Sequence, residues 1–586
     1  MPDPKTEYTV DFRKLNGGLN LKELDYRLDN NESPAMKNLI WIDGVLNSRD
    51  GQVWTIEDKS IGAGYAMYER KFNGCLFAHI DDGIYYCDPS VKNPAWTKLY
   101  SNVPLVRGTF FHYFDDLYYK TVGAYIAIRY IADDGSFTAS EVSGYIPVTV
   151  INASPENGSG SLYQPENRIQ AKKTVKYNAV EGTTVYHLPV QSIDAVDEVI
   201  VDGAVLTVET DYTVNTTEGT VTFTSAPPVT EPRTNNTVII TYSKANPEAY
   251  SSVMDCPYAA TYGGTGDLCV VMGGCPAQPN AYFWNGNNIA MDATYFPFSQ
   301  YQFAGDTDDP IMGFGKQQSY LVILKRRSVG RTKMDTTTVD DRLVIDMPYV
   351  PINDRIGCDL PWTIQLIDNN LVWCNTEQGV HLLKDSSSAF ENNVVCVSGK
   401  VNGGPSVRGL LRDAQDADVV CSFDDSGRYW LAARGHVWLW DYENSDYKNP
   451  SWYYYTGVHG IAYAMELDDI WHINALGQLT HFERCFADYG GKIEKSFRFA
   501  TQFFGGYDRL KNVNSVLISV RSDTNSVTDL TYITDYETRK DLTPLGALAF
   551  LLVPRNLAYR SLKGRGFASV FRRRPMCRRV RHFTME

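Results

Sequence analysis

The sequence predicts an all-β protein: a β-propeller of about seven four-stranded blades, with a small β-sandwich inserted between blades and a β segment at the C-terminus. The first observation behind this is a recurring hairpin. A hydrophobic arm, a corner of two acidic or amide residues and an aromatic return arm appear at Phe77–Tyr86, Phe111–Tyr119, Gln365–Trp373, Ser422–Trp430 and Glu466–Trp471. Asp and Asn tolerate left-handed backbone angles and bond their own backbone, so such pairs close tight turns. The second is composition: 38 Tyr, 25 Phe and 11 Trp with few helix-forming runs suit pleated, half-buried surfaces. The third is grouping, because the strand-like runs fall into successive sets of four within units of 35–50 residues.

Residues 1–38 read as an N-terminal arm, opening with Asn16-Gly17-Gly18-Leu19-Asn20. No GxGxxG or GxxxxGK[ST] pattern accompanies that glycine pair, so it is not a phosphate loop. Residues 39–145 hold the first part of the propeller. They begin with a hairpin, Leu39–Ile42 and Val45–Arg49, joined by Asp43-Gly44. Blade-sized units follow at 65–100 and 106–142, then in residues 251–485 at 256–297, 309–350, 356–400, 416–456 and 459–483. The last unit offers three strands, and the N-terminal pair near Trp41 is expected to complete it, because an open propeller leaves an unpaired edge. The count is seven, with six and eight the neighbouring alternatives and a stack of unrelated hairpins the competing reading.

Residues 146–250 read as an inserted β-sandwich, with alternating runs at 184–189, 199–206, 212–214, 220–223 and 238–242. Residues 486–586 form a C-terminal β domain ending in a basic tail that contains Arg572, Arg573, Arg574, Arg578, Arg579 and Arg581. In a chain of net charge −14 such a tail suits phosphates or an acidic partner surface. A solvated strand pair with Arg on its outer face is the plainer alternative.

The acidic total argues against a general nucleic-acid binder. The first residues, Met1-Pro2-Asp3-Pro4-Lys5, show no signal-peptide pattern, and the longest apolar run, Leu545 to Val553, is too short for a spanning helix. The cysteines include no CxxC pair and mostly sit in strand-like runs, which suits reduced thiols and folding in a cytoplasm. Asp81/Asp82, Asp115/Asp116, Asp424/Asp425 and Asp468/Asp469 invite an acid/base reading. A general acid and base are placed once, across a pocket, whereas these pairs repeat along the chain, so they read as turn makers. No zinc spacing and no cofactor motif is visible, and the run Trp438, Trp440, Trp452, Tyr453, Tyr454, Tyr455 reads as blade core rather than a sugar platform.

The stretches Phe12 to Asn20 and Ser33 to Leu46 resemble the opening of tailed-bacteriophage virion propellers, the packaged-DNA stabilisation or tail hub (nozzle) proteins. Within the insertion, Asp202-Gly203, Asp211–Val214 and Gly219–Pro227 are similar to a small sandwich of phage structural proteins. The run Phe571 to Arg581 resembles their closing strands. The resemblance implies a non-enzymatic tail component located in the virion and made in the host cytoplasm. It implies a homo-oligomeric ring, a hexamer, at the head–tail connection below the portal and adaptor. Such a ring would line the channel for double-stranded DNA, bound without sequence preference, and help retain the genome until ejection. The alternative is a receptor-binding or fibre-attachment propeller module, and a propeller hydrolase is a third reading.

Overall fold

In the computed structural model of the chain, the described residues are 10–229, 236–263, 269–286, 291–339, 342–388, 391–467, 469–485 and 487–502. Beyond these lie the strands at 517–521, 530–534, 538–541, 548–552, 567–568 and 580–585. The chain divides into two compact units: residues 1–59, 372–382 and 395–586 form one, and residues 60–371 and 383–394 the other.

Among the described residues seven sheets have four strands, and the chain is a β-propeller with an inserted sandwich. The first sheet is Gly64–Met67, Leu76–Ile80, Gly83–Cys87 and Thr97–Ser101; the second is Thr109–Tyr113, Asp116–Thr121, Ala124–Ile131 and Ser136–Glu141. The third runs Tyr258–Tyr262, Cys269–Gly273, Ala281–Trp284 and Tyr301–Phe303. The fourth takes Ile311–Gln317, Tyr320–Lys325 and Val329–Thr332, then leaves the sheet for a separate hairpin, Asp335–Val339 with Arg342–Asp346. It closes with Val350–Asn353. The fifth is Gln365–Ile367, Asn370–Asn375, Gly379–Leu383 and Val394–Cys396, and the sixth Val420–Asp424, Arg428–Ala433, His436–Asp441 and Ser451–Thr456. Within the second unit, the first strands of sheets one to five pack against one another in chain order. The sheets' inner faces are apolar and aromatic. Trp284, Trp373, Trp440 and Trp452 are fully buried, and Trp438, Tyr453 and Tyr455 join them as core. Eight of the ten described cysteines are buried.

The seventh sheet is Ala462–Glu466, Asp469–Ile473 and Leu479–Glu483, completed by an N-terminal strand. That strand is Gly51–Ile56, antiparallel to Leu479–Glu483, and not the expected pair near Trp41. The pair Leu39–Ile42 and Val45–Ser48 makes its own two-stranded sheet across Asp43 and Gly44, both at positive φ. The reason is burial. Alternate residues of Val45–Ser48 are exposed, so this strand has no second apolar face to offer. Gly51–Ile56 buries Gly51, Gln52 and Ile56, and a Cβ at Gly51 would collide with the Ala487 carbonyl oxygen. Gln52 is fully buried: its Nε2 donates to the Gly457 carbonyl at 3.0 Å, and its Oε1 lies 3.1 Å from His472 Nε2.

The hairpin corners also differ from expectation. Asp81 (φ 49°) and the pair Asp368 and Asn369 (φ 44° and 59°) occupy the left-handed turn positions. In two other copies the turn falls one residue earlier, on Phe114-Asp115 and from Leu467, because Tyr113 pairs with Asp116 and Glu466 with Asp469. Burial of Tyr113 and Leu117 selects the second sheet's register and leaves Phe114 exposed at positive φ. The Asp81-Asp82 corner joins the second and third strands of its sheet, whereas the other four corners join first and second strands. In an antiparallel sheet those corners lie at opposite ends, so the five copies do not share one location.

The insertion packs a six-stranded sheet against a three-stranded one around Tyr177, Tyr186, Val199, Val221, Phe223, Ile240 and Tyr242. Its strands Val148–Ala153 and Lys172–Tyr177, which pair in parallel, carry too little alternation to be read from sequence. The half-buried Arg168 stacks on Phe283, Phe298 and Tyr301 at 4.8–5.0 Å and ties the insertion to the third sheet. The chain returns to the propeller through helix Pro247–Met254, capped by Asn246. Behind that helix, the fully buried Lys120 donates to the carbonyls of Thr121, Met254 and Cys256 at 2.5–2.8 Å. In the first unit, Val580–Met585 is the middle strand of a five-stranded sheet that also takes Met36–Lys37 from the N-terminal arm.

Candidate functional site

Chemistry-bearing side chains gather where the first strands of the second unit converge. Glu69 leaves the first strand of sheet one in the run Tyr68-Glu69-Arg70-Lys71, and Gln365 begins the first strand of sheet five. Gln365 Nε2 donates to Glu69 Oε1 at 3.3 Å, so this bond links the first and fifth sheets directly. Arg107, just before sheet two, lies over the Trp362 ring at 4.8 Å, and Tyr258, opening sheet three, tilts against the same ring at 5.7 Å. Gly313 of sheet four lets the Ile364 side chain come close, since a Cβ there would overlap it.

The electrostatics follow from this position. Glu69 keeps access to solvent, yet protein atoms crowd around it. Desolvation raises its carboxyl above the usual range, opposed by the Gln365 hydrogen bond and by Arg70 and Arg107. One carboxyl more readily protonated than usual is thus held among two guanidiniums and an indole. The arrangement joins strands through polar and cation–π contacts. Sequence reasoning missed these residues because each is unremarkable alone. The available signal was positional: each flanks the first strand of a unit, and those strands line a propeller's axis.

The paired acids act locally. Asp82 bonds Lys98 at 2.6 Å, and this bond holds its carboxyl below the usual range. Asp116 pairs with Arg129 at 2.9 Å. Asp425 is buried, which raises its pKa, and accepts from Trp430 Nε1 at 2.9 Å. Each of these serves its own sheet. Of the basic-tail residues, Arg572, Arg573, Arg574, Arg578 and Arg579 lie outside the described residues. Arg581 lies in Val580–Met585, where pairing with Leu530–Thr534 skips it: Ile533 faces His582 and Thr534 faces Val580. It therefore sits at a register shift of the β-bulge kind.

Among the described residues no group of three or more His, Cys, Asp or Glu is placed to hold a metal ion, and no helix is long and apolar enough to cross a membrane.

Fold and site together define a propeller whose converging first strands carry a cluster of one acid, cations and an indole. No family model and no curated protein matches the sequence. Among solved structures the chain is similar to BamB from Moraxella catarrhalis, at 8% identity over 74% of this chain and 99% of that one, with a TM-score of 0.32. It is also similar to the Pan2 WD40 domain of Neurospora crassa, at 8% identity over 74% and 94%, TM-score 0.35. A third is the computationally designed Ika8 protein, at 10% identity over 74% and 99%, TM-score 0.31.

Proposed function

We propose that this chain is a structural component of a bacteriophage tail, a hub or nozzle subunit that assembles as an oligomeric ring below the portal and adaptor. Its propeller would form the wall of a channel that passes and retains packaged DNA. The observation that carries this reading is the fate of the segment resembling the opening of phage virion propellers. Ser33, Met36 and Asn38 are buried, and this stretch straps the first unit together. Ser33 Oγ donates to the Arg498 carbonyl at 2.7 Å, and Met36 pairs with Phe497. Asn38 Nδ2 donates to Thr456 and to the Glu494 carbonyl. Arg49 clamps Asp488 while its Nε donates to Asn38 at 3.0 Å. The residues behind the resemblance are thus a framework motif, as a building block requires.

The Glu69–Gln365 bond adds a constraint, because side chains of the first and fifth sheets that meet directly leave no room for a duplex between them. The DNA channel of this reading therefore lies between copies of the chain. The test is assembly: the full chain mixed with the portal and adaptor of the phage that encodes it, followed by light scattering and electron microscopy. A ring of copies on the adaptor is expected. A chain that stays monomeric in the mixture and is missing from purified tails overturns the proposal, and sugar binding without ring formation points instead to a receptor-binding module.

A further inference from the structure

On the sixth sheet of the first unit, three guanidinium groups converge on a single carboxylate oxygen. Arg408, Arg412 and Arg434 lie 3.0, 3.2 and 3.1 Å from Asp416 Oδ2. Arg408 also bonds Asp413 Oδ1 at 2.6 Å, and Asp413 is buried, with its other oxygen accepting from Trp438 Nε1 at 3.2 Å. The rigid parts of this arrangement are clear. Asp413 and Asp416 belong to the short helix Leu410–Gln415 and its C-terminal cap. Arg434 projects from the two-residue turn Arg434-Gly435, both at positive φ, whose Gly435 packs on the His459 ring.

Two properties make this more than an internal ion-pair network. The arginine side chains remain 45%, 63% and 51% exposed, so about half of each stays open to solvent. Each guanidinium has five N–H donors in a fixed fork, and only one or two of each are engaged. Three cations face two carboxylates, one of them fully occupied beneath the surface. Because all three groups meet at one oxygen, three positive charges are gathered at one place on the surface. A multi-oxygen, multiply charged ligand matches that pattern better than a lone carboxylate.

We propose that Arg408, Arg412 and Arg434 form an oxyanion site for phosphate groups, with Asp416 acting as the resident counter-ion that holds the guanidiniums in place. The phosphate would come either from a nucleic-acid backbone or from a free polyphosphate. This inference rests on the segment around helix Leu410–Gln415 and on the Arg434-Gly435 turn, and not on the virion reading.

The experiment is calorimetric titration of the full chain with sodium tripolyphosphate and, separately, with a short DNA duplex. Arg412→Gln with Arg434→Gln removes two surface guanidiniums and leaves the buried Asp413 with its partners. It is expected to weaken binding about tenfold. Asp416→Asn removes the competing negative charge and is expected to tighten binding, an opposite sign that general damage to the fold does not produce. If the double variant fails to fold, Arg434→Gln alone makes the same comparison. The C-terminal arginines are present in every variant and so cancel. Loss of both ligands on substitution identifies a nucleic-acid source, and loss of tripolyphosphate alone identifies a free phosphate. No binding, or binding indifferent to both substitutions, overturns the proposal.

Discussion

Acidification from pH 7 to pH 5 should loosen the first and seventh sheets through two buried histidines. His79 is fully buried, with Nδ1 2.7 Å from the Tyr119 hydroxyl, and desolvation lowers its pKa to about 4. His472 is fully buried beside Gln52 and is lowered to about 3, again mainly by desolvation. Both stay neutral in the folded chain at pH 5, while in the unfolded chain histidine gains a proton below about 6.5. The unfolded state then binds more protons, so stability present at neutral pH is lost as pH falls from about 6.5 toward 4 and 3. Between pH 7 and pH 5 each group accounts for about 2 kcal/mol, or about thirtyfold in an opening equilibrium. Amide hydrogen exchange of Leu76–Ile80 and Asp469–Ile473, corrected for the intrinsic rate, reads this directly as protection lost. His79→Gln and His472→Gln should flatten the pH dependence of their own sheet and leave the other's unchanged. Equal loss in wild type and variants, or no loss until pH 4, would refute the reasoning.

Four further outcomes follow from the same geometry. Gly51→Ala should cost at least about 2 kcal/mol in a denaturant titration, because its methyl group meets the fixed Ala487 carbonyl as well as the Cys485 sulfur. Asp368→Val, placing a β-branched residue at φ 44°, should cost about 1–2 kcal/mol. Asp82→Asn removes an exposed pair with Lys98 and should leave stability almost unchanged; the reverse ranking of these two would contradict the turn-making reading. Lys120, lowered by desolvation to about 8, sheds its proton in the folded chain first. Hydrogen-exchange protection of Pro247–Met254 should therefore rise as pH goes from 8 to 9.5, and Lys120→Met should abolish the rise.

The sheets were legible because blade faces are apolar on every turn of the chain, so aromatic runs and tight corners recur at blade spacing. The sandwich was legible in its alternating strands but not in Lys172–Tyr177. There Lys173 is buried against Glu166 and the Tyr242 ring, which breaks the pattern. The closing strand was misassigned because Asp43-Gly44 is the stronger local signal, while the value of Gly51 lies in contacts with residues more than 400 positions away. Doubled acids marked corners only approximately, since register is decided by which neighbours are buried, as Tyr113 and Leu117 show. The axial cluster and the three-arginine site were invisible for one reason: Glu69 with Gln365, and Arg408 with Arg434, meet only once the sheets are assembled.

The proposed role as a tail building block is tested most directly by cryo-electron microscopy of purified tailed-phage particles whose genome carries this sequence. The account predicts a ring of copies beneath the adaptor, each with a seven-sheet propeller closed by Gly51–Ile56, and DNA density running between copies. Particles whose tails lack the chain, or DNA passing through the axis of a single propeller, would contradict it.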